Sequence, residues 1–98
     1  MTCYVNASLE GLGAICGEKF YSMHLPEAIA ISGRIVVFEM LNVLVALRLW
    51  GIEWSNKRVI IYCDNHAVVD ILEGNRTRDR VLGIILREIL MIQAKENI

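Results

Sequence analysis

The chain begins with three short apolar runs that are separated by polar residues and glycines. The runs Cys3–Ala7, Gly11–Cys16 and Lys19–His24 are rich in β-favouring residues, and tight turns can join them. This pattern predicts an antiparallel meander of three strands. Pro26 ends the unit because proline cannot donate to a strand ladder, and Glu27–Gly33 is expected to connect it to the next element.

Residues 35–50 are apolar on nearly every side of the helix that they predict, and Gly51 is expected to end that helix. One stripe differs, because Glu39, Asn42 and Ala46 are spaced three and four residues apart and share one side. This stripe is either a solvent edge or the side that faces a strand. In the second case Glu39 is an acid carried to a shared site, and in the first it is an exposed helix acid.

A second β-favouring run, Arg58–Cys63, ends abruptly at Asp64 and is followed by a predicted helix over Ala67–Glu73. Its uninterrupted apolar residues favour a strand that is covered on both faces by helices. Asp64 either caps the helix or supplies a carboxylate at the carboxyl edge of the strand, where open α/β sheets hold their ligands.

The last predicted helix begins at Thr77 as its N-cap. Its expected buried side consists of Leu82, Ile85, Leu86, Ile89, Leu90 and Ile92. The element order is therefore β-β-β-α-β-α-α, which predicts one α/β domain over residues 1–98. In its mixed sheet, three antiparallel strands are followed by a fourth strand parallel to the first and beside it.

Composition narrows the possible classes of protein. A chain of 98 residues with 55% hydrophobic residues and a formal net charge of −1 has no global attraction to nucleic acid. Three cysteines without a Cys-x-x-Cys spacing are expected to be reduced core thiols of an intracellular protein, cytoplasmic or nuclear, rather than metal ligands. No secretory leader is predicted, and charges inside the longest apolar region, residues 29–50, argue against a membrane span.

In the predicted topology three polar residues converge, namely Asn6 on the first strand, Glu39 on the crossing helix and Asp64 at the end of the fourth strand. Oxygen ligands of this kind bind Mg²⁺, and two such ions about 3.5–4 Å apart can activate water and stabilise a leaving phosphate oxygen.

Several segments carry a resemblance to a known family. They are Tyr4-Val5-Asn6-Ala7-Ser8, Gly11-Leu12-Gly13-Ala14-Ile15, Phe38-Glu39-Met40-Leu41, Ile61-Tyr62-Cys63-Asp64-Asn65 and Gly74-Asn75-Arg76-Thr77-Arg78-Asp79. In order and spacing they resemble the ribonuclease H type 1 fold, and more closely the ribonuclease H domain of reverse transcriptases from DIRS-type and related retrotransposons. The resemblance implies hydrolysis of the RNA strand of an RNA–DNA hybrid with Mg²⁺ or Mn²⁺, beside a polymerase domain.

The resemblance also implies an impaired site. Glu39 and Asp64 match two of the family's four metal-binding acids, whereas Asn6 stands where the family has its first aspartate. The fourth acid belongs to a fifth strand and last helix, before which this chain ends. An amide oxygen adds no negative charge, so weak metal binding and little or no turnover are expected; Asn6 is then either a weak ligand or a degenerate relic.

The candidate contacts to nucleic acid follow the fourth strand. Asn65 and His66 lie next to Asp64, and Arg76, Arg78 and Arg80 form a local basic cluster. These arginines can bind the phosphates of a hybrid, or they form an ordinary solvated loop, and His66 can equally be a surface histidine at a helix start.

Three functions remain open at this point. The first is a ribonuclease H with an incomplete site, and the second is a non-catalytic module that binds nucleic acid or protein. The third is an assembly role, because without a fifth strand the fourth strand is an apolar edge that a second copy can pair with.

Overall fold

The computed structural model describes residues 2–8, 11–24 and 34–98. These residues form four strands, β1 (Thr2–Ala7), β2 (Gly11–Cys16), β3 (Lys19–His24) and β4 (Ile60–Tyr62), and three helices, α1 (Ile35–Trp50), α2 (His66–Gly74) and α3 (Arg80–Glu96). The predicted connection over Glu27–Gly33 and the break at Pro26 lie outside the described residues.

The strands form one mixed sheet in the order β3-β2-β1-β4. The pairs β1–β2 and β2–β3 are antiparallel, and β4 lies parallel to β1 with Tyr4 opposite Tyr62. A parallel neighbour requires a crossover, and α1 lies between β3 and β4 in the chain. Within residues 2–8, 11–24 and 34–98, the predicted α/β class, element order and position of the fourth strand are confirmed.

The two faces of the sheet differ. The inner face carries Cys3, Val5, Ala7, Leu12, Ala14 and Cys16, all buried. These side chains pack with the buried residues of α1 and α3 and with Val68 of α2. We call the opposite side the open face, on which Tyr4, Ile15, Phe20, Ile60 and Tyr62 are exposed. The prediction that β4 is covered on both faces is wrong, since only its inner side packs against the helices.

Several element ends differ from the prediction because local hydrogen bonds set them. β4 is three residues long rather than six. The side chain of Asp79, and not that of Thr77, accepts the Leu82 N–H and begins α3. Gly51 follows α1 but keeps right-handed helical geometry. The left-handed residue comes later in this turn, at Asn56.

The cysteine prediction is wrong for one pair. Cys3 and Cys16 form a disulfide, and Cys63 is the free cysteine among the described residues. The strand register is the physical reason, because it places Cys3 directly opposite Cys16 with both side chains on the inner face and a Cα–Cα distance of 4.3 Å. Two cysteines 13 residues apart give no sign of this pairing until the register is known.

Of the helices in the described part of the chain, none combines the length and the apolar character that crossing a membrane requires.

Candidate active site

The polar stripe of α1 faces the sheet. Glu39, Asn42 and Ala46 are all buried against it, and Glu39 is 3% exposed. The stripe is therefore not a solvent edge. Because Glu39 and Asn42 are buried, their polar groups must form hydrogen bonds with the strands.

Glu39 lies between β1 and the end of β4. Its Oε1 accepts the backbone N–H of Ala7 at 3.3 Å, and its Oε2 lies 3.5 Å from Sγ of Cys63, which acts as donor. Burial raises the pKa of Glu39 above its ordinary value, and the nearby charge of Asp64 adds to this, against the lowering effect of the two hydrogen bonds. Glu39 therefore holds a proton more readily than an exposed glutamate does.

Cys63 contacts Glu39 and directly precedes Asp64 in the chain. Burial raises the pKa of its thiol, and the charges of Glu39 and Asp64 raise it further. The thiol consequently stays protonated at neutral pH and can donate to Glu39. Sequence reasoning placed Cys63 in the core and missed this contact, which only the packing of α1 against β4 creates.

Asp64 is exposed at the carboxyl end of β4. It does not cap the next helix, because the side chain of Asn65 accepts the Val68 N–H at 3.2 Å and begins α2. The capping alternative for Asp64 is thus wrong, and its carboxylate stays available at the surface.

Asn6 projects from the open face of β1, since its neighbours Val5 and Ala7 are buried on the inner face. Together with Asp64, Tyr4 and Tyr62 it lines a surface pocket of about 330 Å³. The structure thus brings Asn6 and Asp64 to one pocket, whereas Glu39 lies behind them on the helix side of the sheet.

These residues fit a pair of Mg²⁺ ions poorly. Both carboxylate oxygens of Glu39 accept internal hydrogen bonds, which leaves the Asp64 carboxylate and the Asn6 amide facing the pocket. Two divalent ions need several hard, charged oxygen ligands, and one exposed carboxylate does not supply them. In the described segments, no three His, Cys, Asp or Glu side chains are grouped so as to hold a metal ion.

A buried clamp supports the site, and sequence reasoning missed its role. Nδ2 of Asn42 donates to the carbonyl oxygens of Asn6 at 2.9 Å and Gly13 at 2.8 Å. The Tyr21 hydroxyl donates to the Asn42 carbonyl at 2.9 Å and also contacts Oδ1 of the same residue. Three strands and α1 are joined in this way, so the backbone that carries Asn6 is fixed. The available signal was an asparagine inside a strongly apolar helix.

The candidate nucleic-acid contacts lie beyond β4. The Asn65 side chain is used as a cap, and His66 is exposed at the first position of α2. Arg76, Arg78 and Arg80 are exposed between the end of α2 and the first residue of α3. None of these three arginines forms an ion pair with another described residue, whereas Arg34 pairs with Asp79 at 2.6 Å.

Comparisons of the chain with protein-family models, with curated proteins and with solved structures give no significant match.

Proposed function

We propose that this chain is a ribonuclease H-like domain of a retroelement reverse transcriptase, in which two-metal hydrolysis of the RNA strand of a hybrid is ancestral and is now lost or strongly impaired. One observation carries the proposal: the strand order β3-β2-β1-β4, with α1 packed so that Glu39 lies next to Cys63 and within the field of Asp64. The matching of Asn6, Glu39 and Asp64 to family positions rests on the sequence resemblance.

Impairment follows from the donors present at the pocket. Asn6 supplies a neutral amide, and Glu39 is tied to Ala7 and Cys63 with a raised pKa. When bound, Mg²⁺ or Mn²⁺ would supply charge stabilisation and an activated water. Asp64 would be the principal ligand of that ion and Asn6 a neutral one. Because roughly 1.4 kcal/mol is a factor of ten in rate, a few kcal/mol of lost stabilisation leaves almost no turnover.

The test restores one carboxylate. The Asn6→Asp variant places a second acid in the pocket beside Asp64, so Mn²⁺ affinity is expected to rise at least about tenfold over the native chain. Asn75→Asp is the matched control, because it makes the same substitution at an exposed turn after α2. Mn²⁺ binding is measured by calorimetry, and cleavage of an end-labelled RNA–DNA hybrid is measured alongside it.

The gain must depend on Asp64. Adding Asp64→Asn to Asn6→Asp is expected to return Mn²⁺ binding to the native level and to abolish any cleavage gained. The proposal is contradicted if Asn6→Asp binds Mn²⁺ no more tightly than Asn75→Asp, or if its cleavage of the hybrid survives the loss of Asp64.

A second candidate, a non-catalytic module that binds nucleic acid, is favoured by the exposed arginines 76, 78 and 80. If they contact phosphates, removing Arg76 or Arg78 should lower the salt dependence of hybrid binding by about one unit of slope each. Arg87, exposed on α3, is the matched control. Equal effects of Arg76→Ala and Arg87→Ala in fluorescence anisotropy would contradict this candidate.

A further inference from the structure

The open face carries an apolar row that crosses the whole sheet. Tyr62, Tyr4, Ile15 and Phe20 lie side by side on four neighbouring strands, because the register pairs each of them with the next. They are 54%, 58%, 58% and 76% exposed. The rings of Tyr4 and Tyr62 stack with centroids 5.1 Å apart, and Ile60 extends the row along β4.

The exposed apolar area of this row is large enough to form the core of a protein–protein interface. A large aromatic side chain carries roughly 150–250 Å² of surface, so the five half-exposed residues offer about 500 Å² of apolar area. Monomeric proteins rarely leave patches above a few hundred Å² uncovered. A standard protein interface buries about 800 Å² per partner, which the row and its polar rim can supply.

Charges at the corners of the open face indicate what covers it. Arg58 precedes β4 and Asp64 follows it, and alternation with the inward-facing Val59, Ile61 and Cys63 places both on the open side. At the start of β3, Glu18 lines one surface pocket with Tyr4, Ile15 and Phe20. His24 ends β3 in register with Phe20 and Ser22.

These corners are self-complementary. Strands β3 and β4 run in the same direction, so going round the face the corners are Arg58, Asp64, His24 and Glu18. Both possible two-fold axes lie in the plane between the two sheets. If the axis runs parallel to the strands, Arg58 lies over the second copy's Glu18. If the axis runs across the strands, Arg58 lies over the second copy's Asp64. In either two-fold arrangement, Arg58 of each copy lies opposite an acid of the other copy, which is the self-complementarity of an isologous interface.

A strand of nucleic acid fits the same face less well. Stacking platforms for single strands combine exposed aromatic rings with a cationic track for the phosphates. On this face the positive charge of Arg58 is outnumbered by the negative charges of Glu18 and Asp64, and Lys19 is paired with Glu53. The balance of charge therefore favours a protein surface of the same composition.

We infer that the open face is a dimer interface, in which two copies of this chain pack their sheets face to face across the row Tyr62-Tyr4-Ile15-Phe20. This goes beyond the proposed function. Because the packing covers the pocket that Asn6 and Asp64 line, Mn²⁺ binding and cleavage at that pocket are compared in the Phe20→Lys background, in which the open face is free. The packing is that of aligned β-sheets about 10 Å apart, which differs from strand pairing at the β4 edge.

Sedimentation equilibrium of the 98-residue chain tests the inference. The chain is expected to approach twice its 11.1 kDa mass at concentrations of about 10–100 μM, as suits an interface at the small end of the stable range. Phe20→Lys should raise the dissociation constant at least about tenfold, because it buries a charge in the apolar row. Phe20 lies on β3, at the opposite end of the sheet from β4, so strand pairing at β4 would not respond.

The matched control is Ile52→Lys. Ile52 is 81% exposed in the turn after α1, away from the sheet face, and its substitution should leave the dissociation constant unchanged. A chain that stays monomeric up to about 200 μM, or equal effects of Phe20→Lys and Ile52→Lys, would overturn the inference. A monomer that binds single-stranded nucleic acid through Tyr4 would overturn it as well.

Charge reversal identifies the axis. Arg58→Glu should weaken the dimer several-fold because it places like charges together twice. Adding Glu18→Arg restores association if the axis is parallel to the strands, and adding Asp64→Lys restores it if the axis is perpendicular. If neither second change restores association, the corner charges do not meet and the proposed packing is wrong.

Discussion

Both faces of the sheet carry apolar side chains from alternate strand positions, but those on the inner face are buried and those on the open face are exposed. On the inner face the strand residues are buried, and the polar groups of Asn42 and Glu39 all have partners. On the open face, Phe20 and Tyr4 remain largely exposed although they are as apolar as the core. An apolar strand residue therefore predicts that its side chain packs against something, and the position of the helices decides whether that partner lies within the same chain.

The greatest loss of stability is predicted for Phe38, which is compared with Phe20 on the other side of the sheet. Phe38 on α1 is fully buried against Ala7 and Leu12, so Phe38→Ala should lower the free energy of unfolding by about 3–5 kcal/mol. Phe20→Ala should change it by less than about 0.5 kcal/mol. Urea unfolding at low protein concentration, followed by circular dichroism, measures both. Similar losses for the two variants would mean that the open face is already covered within one chain.

The next comparison uses two asparagines. Asn42→Ala removes the side-chain amide that donates to the carbonyls of both Asn6 and Gly13, and it removes an acceptor of the Tyr21 hydroxyl, at a cost of about 2–4 kcal/mol. Asn6→Ala on the open face removes only an exposed amide and should cost less than about 0.5 kcal/mol. If the same urea titration gave Asn42→Ala a cost near zero, the clamp would not exist in solution.

A smaller effect is expected from the disulfide under the inner face. Reducing Cys3–Cys16 releases a link across 13 residues, which should lower the free energy of unfolding by about 2–3 kcal/mol. The Cys3→Ala/Cys16→Ala double variant is the control, and its unfolding midpoint should not respond to reductant. A native chain that is equally insensitive to reductant would contradict the disulfide.

Glu39 is predicted to make a small, pH-dependent contribution to stability. Its pKa is raised in the folded state, so it binds a proton more tightly there than in the unfolded chain. Its contribution to stability is therefore full below the unfolded pKa near 4.5 and is lost as the pH rises through the folded pKa. The stability of Glu39→Gln should fall less than that of the native chain across this window.

Much of the fold was predictable because it depends on local pattern. The bounds of β2, β3 and α1 follow from apolar runs and turn residues. The polar stripe of α1 allowed two interpretations, and its burial in the structure selects the side that meets the strands. The crossover rule then placed β4 beside β1. These steps suffice to bring Glu39 close to the end of β4.

The remainder depends on competition that a sequence alone does not resolve. Asp64 and Asn65 can each cap α2, and backbone geometry after β4 selects Asn65. Thr77 and Asp79 compete in the same way for α3, where Thr77 instead accepts the N–H of Asp79. Predicting the pairing of Cys3 with Cys16 requires the strand register. Predicting the exposure of Tyr62 requires knowing which face of the sheet the helices leave uncovered.

The candidate site depends most on Glu39 lying behind Asp64 at the end of β4, and an NMR titration of the Glu39 side-chain carboxyl measures this directly. We expect its pKa to lie above the ordinary value of a glutamate and to fall when Asp64 is replaced by Asn, because a nearby negative charge is then removed. A Glu39 carboxyl that titrates at the ordinary value, and does not respond to Asp64→Asn, would contradict this placement of the two acids.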